Sequence, residues 1–216
     1  MTTPRPSADV ARFVGALALD ADPGALRARL AALREGRARA VVVSGDFALG
    51  VALARDLAAF PGAVIAAVAG EARDGGFETA LACDIRLAGA SARLAAGDAV
   101  DARRLARVAG EAVARDLLIT GRTVSAREAL ALGLVSKVVA DAALMDEARA
   151  WATLVAERAP LSVQANKECL VHCERLPLRE AVAYERQGWA RLQRTRDHKE
   201  ALAAFFARRA PEVTGE

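Results

Sequence analysis

A chain of 216 residues, 54% hydrophobic and 26% charged, has enough apolar matter for a full core and the charge content of an ordinary globular domain. Its net charge of only +3 comes from 30 basic and 27 acidic residues interleaved along the chain, and aromatics make up 4%, so neither the basic groove nor the stacking platforms of a nucleic-acid binder are expected. No apolar run reaches the roughly eighteen residues a membrane span needs, Met1 to Val10 has no apolar leader segment, and three cysteines, an odd number, suit a reducing cytoplasm.

Between Pro23 and Gly36, Leu26, Leu30 and Leu33 recur at helical spacing, and Ala38 to Ser44 then reads as an apolar strand. Ala54 to Pro61 is a short stretch before Val64 to Val68, a β-branched run suited to a strand buried on both faces and ended by Gly70. A glycine turn, a short helix and another strand through Leu87 follow. This is the βα rhythm of a parallel-sheet core. From Ala142 onward the pattern is helix after helix: Ala142 to Arg158, Leu161 to Glu174, Leu178 to Arg194 and His198 to Arg209, separated by Pro160, Pro177 and Asp197. The change of texture divides one fold unit into a 1–140 α/β core and a 141–216 helical region.

Gly75 and Gly76 lack Cβ atoms, so their peptide N–H groups can lie open at a helix N-terminus, where donors lack intrahelical partners and the dipole favours negative charge. A developing enolate oxygen suits that position. Glu78 projects from the first turn beside it, placed either for acid–base chemistry or simply to complement the helix dipole. Cys169, His172 and Cys173 share one helix face, but a closed metal site needs about four ligands and no other His or Cys cluster exists, so no metal is expected. His198 reads as a solvated helix-start residue and Cys83 as a buried small hydrophobe. No phosphate loop of either common spacing is present, which excludes a nucleotide-binding βα protein.

In register, Gly70, Ala72, Gly75, Gly76, Glu78, Ala82, Cys83, Asp84, Ile85 and Arg86 resemble the Gly-x-Ala-x-Gly-Gly-Gly-x-Glu-Leu-Ala-x-x-Cys-Asp-Ile-Arg stretch of the crotonase, or enoyl-CoA hydratase/isomerase, superfamily. A second block, Ala114 to Val139, is similar to that family's leucine-rich helix, Thr-Gly-Arg turn and Ala-x-Glu-Ala-x-x-x-Gly-Leu-Val segment. A third, Ala203 to Pro211, is similar to its closing Ala-Ala-Phe-x-x-x-Arg-x-Pro. The resemblance implies an α/β crotonase-like (ClpP/crotonase) spiral of ββα units with a C-terminal helical region that builds homotrimers, often paired into hexamers. It implies an acyl thioester substrate, hydrated, dehydrated or isomerised through an enolate held in an oxyanion hole, as in fatty acid metabolism. No cofactor is expected beyond the coenzyme A or phosphopantetheine of the substrate itself.

Carried over by register, Gly75 supplies one oxyanion donor and Val51 the other, in a loop where Phe47, Gly50 and Leu53 match the family's Phe-x-Ala-Gly-Ala-Asp-Leu. Gly50 and Gly76 then line the substrate. Glu78 takes the place of the family's first glutamate, and Asp98, at the end of Ser91 to Asp98, that of the second. Asp98-Ala99-Val100-Asp101 also reads as a helix N-cap with an acidic N3 residue, and both readings stand. Three departures are visible. The lid helix is reduced to Ala54–Pro61; the pocket-walling Leu-Gly-x-x-Pro-x-x-Gly-Gly segment after Asp98 is missing; and Asp74 replaces a glycine, with Arg73 beside it as a cation for a substrate phosphate or for Asp74. They favour a small substrate or one borne by an acyl-carrier protein, as in polyketide biosynthesis, and leave open a catalytically weak or inactive accessory subunit.

Overall fold

The computed structural model describes residues 13–20, 22–47 and 53–216. Five strands form one parallel sheet: β1 (Val14–Leu19), β2 (Ala40–Gly45), β3 (Ala63–Val68), β5 (Ile85–Gly89) and β8 (Lys137–Val139), in the order β1-β2-β3-β5-β8. Three-residue strands β4 (Glu71–Arg73), β6 (Arg93–Ala95) and β7 (Thr123–Ser125) make a second sheet, β4 parallel to β6 and β6 antiparallel to β7. The main strands thus alternate with short strands of the second sheet and with helices, which is the expected spiral of ββα units.

The helices start where the sequence gives them a reason. Asp22 caps α1 (Pro23–Glu35), its Oδ1 accepting the N–H groups of Gly24 and Ala25 at 2.8 and 3.2 Å, with Pro23 pre-set in the first turn. Leu26 and Leu30, one turn apart, are buried against the sheet. All of β3 is buried, as its unalternated apolar run requires. Gly70 (φ +66°) does not simply end β3: it turns the chain into β4, too short to show any alternation in sequence.

The Cys-Asp-Ile-Arg run closes the joint between α3 (Asp74–Ala82) and β5. Asp84 exchanges bonds with Val64, the peptide N–H of Val64 donating to its Oδ2 at 2.7 Å. Cys83 is buried, its thiol donating to the Thr79 carbonyl at 3.3 Å. Buried Arg86 donates to the carbonyls of Leu134 and Cys83 at 2.8 and 2.6 Å, tying β5 to the segment before β8. Gly121 ends α5 (Glu111–Thr120) in the left-handed region, and Arg122 then clamps Asp116 of α5 and Glu128 of α6 (Ala126–Ala131).

Residues 1–154 form one unit and residues 155–216 another. α7 (Leu144–Ala156) follows a 3₁₀ turn at Asp141–Ala143. In the second unit α8 (Pro160–Cys173), α9 (Leu178–Leu192) and α10 (Arg196–Phe206) follow without a strand among the described residues. Two expected separators lie inside helices instead. Pro160 occupies the first turn of α8, where its missing N–H costs nothing, and Thr195 rather than Asp197 precedes α10 as its cap. Asp197 is buried and accepts the N–H groups of Thr214 and Gly215 at 2.7 and 2.9 Å, fastening the C-terminal tail. His198, next to it, is half-buried rather than solvated.

Candidate active site

α3 begins at Asp74, capped by Arg73, whose side chain makes no cap hydrogen bond. Asp74, where the resemblance expects a glycine, holds φ +45°, the left-handed conformation that aspartate tolerates better than most side chains. Gly75 is half-buried, and no acceptor among the described residues takes its N–H. Gly76 is buried because the chain after β2 crosses it: a Cβ there would collide with the Phe47 carbonyl oxygen. Gly50 and Val51 lie outside the described residues.

Glu78 stands one helical turn after Asp74, its side chain only 13% exposed. Its Oε1 accepts from Arg104 Nε at 2.8 Å and its Oε2 from the peptide N–H of Asp101 at 3.0 Å. The turn that carries Asp98 is held against α3 at both ends. At one end Asp74 Oδ1 fills the space a Cβ would need at Gly97; at the other Glu78 meets Asp101. Asp98 itself is exposed on that turn.

Asp98 is not the helix cap. Asp101 is, accepting at Oδ1 from the N–H groups of Arg103 and Arg104 at 2.8 and 3.1 Å at the start of α4 (Ala102–Ala109). Chiefly the N–H of Arg104, with that of Arg103 and the two guanidinium charges, holds the Asp101 carboxyl below the usual carboxylate range, against an opposing burial effect second only to the Arg104 hydrogen bond. The sequence reading makes Asp101 the N3 residue of a helix capped by Asp98; α4 begins three residues later than that reading requires, which makes Asp101 the cap. Arg73 is also placed differently from the pairing with Asp74: its Nε donates to Glu71 at 3.2 Å and Nη2 to Thr123 Oγ1 at 3.4 Å, across the second sheet and on the surface.

Arg104 escaped sequence reasoning, although it is the cation nearest Glu78. Its signal was its place as the third residue of a helix opened by Asp101, where a side chain reaches back toward whatever packs on the cap. Elsewhere the Cys169 and Cys173 thiols lie 3.3 Å apart and His172 packs its ring on Tyr184 at 4.4 Å. Among the described residues no group of three or more His, Cys, Asp or Glu side chains is placed to hold a metal ion.

The sequence model described as enoyl-CoA hydratase/isomerase matches residues 46–216. The chain is 42% identical over 160 residues to the (E)-benzylidenesuccinyl-CoA hydratase of Thauera aromatica, covering 70% of this chain and 62% of that protein. It is 34% identical over 157 residues to the short-chain-enoyl-CoA hydratase of Clostridium acetobutylicum, covering 69% and 60%. The chain thus matches less than two thirds of the length of these relatives. Among solved structures, an enoyl-CoA hydratase from Bacillus anthracis superposes with a TM-score of 0.85 at 26% identity, over 100% of this chain and 98% of that one. A putative enoyl-CoA hydratase from Streptomyces coelicolor A3(2) gives 0.84 at 28% identity, over 100% and 97%. With the glycine turn, the Glu78 helix and the spiral of short and long strands in place, the chain belongs to the enoyl-CoA hydratase/isomerase family.

Proposed function

We propose that this chain hydrates the α,β double bond of a small enoyl thioester, and the observation that carries the proposal is the placement of Glu78 in the helix turn opened by Gly75, against the turn bearing Asp98. In this reading the thioester oxygen sits at the N-terminus of α3, where the Gly75 N–H and the Val51 N–H stabilise the charge that builds on it; one such donor is worth about 2.7 to 4 kcal/mol. Glu78 takes a proton from water as its oxygen adds to the β-carbon, Asp98 enters the step as the carboxylic acid and delivers its proton to the α-carbon, and exchange with solvent then returns Glu78 to the carboxylate and Asp98 to the acid. Both protons and the C–O bond are then accounted for without a cofactor. Gly76 and Gly50 line the thioester. Arg73, on the surface and engaged by Glu71, has less support as a phosphate contact.

The five-residue α2 (Ala54–Ala58) between β2 and β3 supports a short acyl chain carried on coenzyme A or on the phosphopantetheine arm of a carrier protein, which presents no adenine to bind. Exposed Leu170, Leu178, Trp189, Phe205 and Phe206 on α8 to α10 support a homo-oligomer, in our reading a trimer, that covers these side chains. The cysteine usage suits a cytoplasmic enzyme. The non-catalytic reading has one specific support, that both oxygens of Glu78 already have protein partners.

The test is loss of the conjugated enoyl absorbance when purified protein meets crotonyl-CoA, then a crotonyl-carrier protein, with Glu78→Gln alongside. Turnover that falls about 10² to 10⁴-fold in the variant supports the hydratase; no turnover of either thioester by wild type supports the accessory subunit.

A further inference from the structure

We propose that Arg104 is a positioning residue for Glu78, an assignment that rests on the hydratase reading above. The two carboxylate oxygens of Glu78 are divided between two donors that belong to one rigid element: the Arg104 guanidinium takes Oε1 and the Asp101 peptide N–H takes Oε2. One donor alone leaves a carboxylate free to swing about that bond. Two donors on opposite oxygens fix the plane of the group, and with it the direction of the remaining lone pairs toward water.

The clamp is itself held. Asp101 Oδ1 accepts the N–H of Arg104, so the residue that donates to Glu78 through its backbone also fixes the backbone of the residue that donates through its side chain. Leu105, the next residue along, is fully buried and anchors α4 in the core. Both partners of the ion pair are shielded, with side-chain exposures of 25% for Arg104 and 13% for Glu78, so water competes weakly for the contact. The pocket-walling segment expected of the family is absent from the sequence between Asp98 and Arg104, and α4 therefore begins only four residues after Asp98. The N-terminus of α4 thus lies where it can orient Glu78 directly. Arg104 acts through Glu78, and no contact of its own with the reacting atoms is needed.

The experiment compares wild type, Arg104→Gln, Arg104→Lys, Glu78→Gln and the double variant in steady-state hydration of whichever enoyl thioester the wild type turns over. A positioning role predicts that kcat falls about 10- to 100-fold in Arg104→Gln, as for a misplaced catalytic group, with KM within about twofold. Arg104→Lys recovers part of the loss, since ammonium supplies charge and a donor without the planar guanidinium. The double variant is no slower than Glu78→Gln alone, because nothing remains to be positioned. If Arg104→Gln does not fold, Arg104→Lys still decides: a lowered kcat at unchanged KM supports the assignment, and wild-type kcat overturns it. A full additional loss on top of Glu78→Gln also overturns it. Wild type that turns over no thioester overturns the hydratase reading and this assignment with it, whereas active wild type with normal Arg104 variants overturns this assignment alone.

Discussion

Glu78 and Asp98 are unlike in what surrounds them, and that difference yields separable expectations. Asp98 is exposed and caps no helix, so Asp98→Asn should leave unfolding stability within about 0.5 kcal/mol. The same variant should lower kcat by about 10² to 10⁴-fold if its carboxyl delivers the α-proton; urea unfolding and turnover measured on one preparation separate the two effects. Gly76 is the opposite case. A methyl group there meets backbone, the Phe47 carbonyl, which cannot rotate away, so Gly76→Ala should cost about 1 to 3 kcal/mol or more, read as a lowered urea midpoint. Glu78 and the Gly75 turn were legible in the sequence because their spacing is local. Arg104 was not, since its partner lies 26 residues away and its one local signal, the third position of a helix, depends on knowing that Asp101 is the cap. The sequence reading puts the cap at Asp98 with Asp101 as its N3 residue, and the structure moves it to Asp101, because the helix start is set by the packing of α4 and not by the local pattern.

Most long elements were readable and the short ones were not, but β1, as long as β3, went unread. β3 declares itself by a continuous apolar run and α1 by apolar periodicity, whereas β4, β6 and β7 are three residues each and owe their existence to pairing with one another. Pro160 read as a break because proline ends helices from within; at the first turn it begins one. Two expectations belong to this scale. Asp101→Ala removes the side-chain acceptor for two N–H groups and should cost about 1 kcal/mol in chemical denaturation. At the C-terminus, Glu200 is held at a pKa of about 2, chiefly by its hydrogen bonds from Arg209 and then by the N–H of Glu212. Its folded value lies below the unfolded one, so its contribution is present above the ordinary glutamate range near 4.5 and is lost as pH falls through about 2. The Glu212 amide resonance should therefore keep its neutral-pH shift at pH 4 and move with a midpoint near 2; a midpoint near 4.5 would show that the clasp does not form.

At the scale of the molecule, the family was legible from three ordered blocks, and much of their content is structural. Asp84, Arg86, Gly121 and Arg122 close joints between elements and take no part in the proposed chemistry. If copies of this chain cover the apolar side chains left on α8 to α10, as proposed, sedimentation equilibrium should give a multiple of the chain mass, three times in the trimer that the family resemblance implies, and a monomer would contradict the proposal. The central claim, that the helix turn of Gly75 and Glu78 adds water across an enoyl thioester, is tested most directly by running the reaction in heavy water and analysing the product by mass spectrometry. The account predicts a 3-hydroxyacyl thioester with one carbon-bound deuterium at the α-carbon, formed by the wild type and lost with Glu78→Gln. An enoyl thioester recovered unchanged and free of deuterium, from crotonyl-CoA and from the carrier-bound substrate alike, would contradict it.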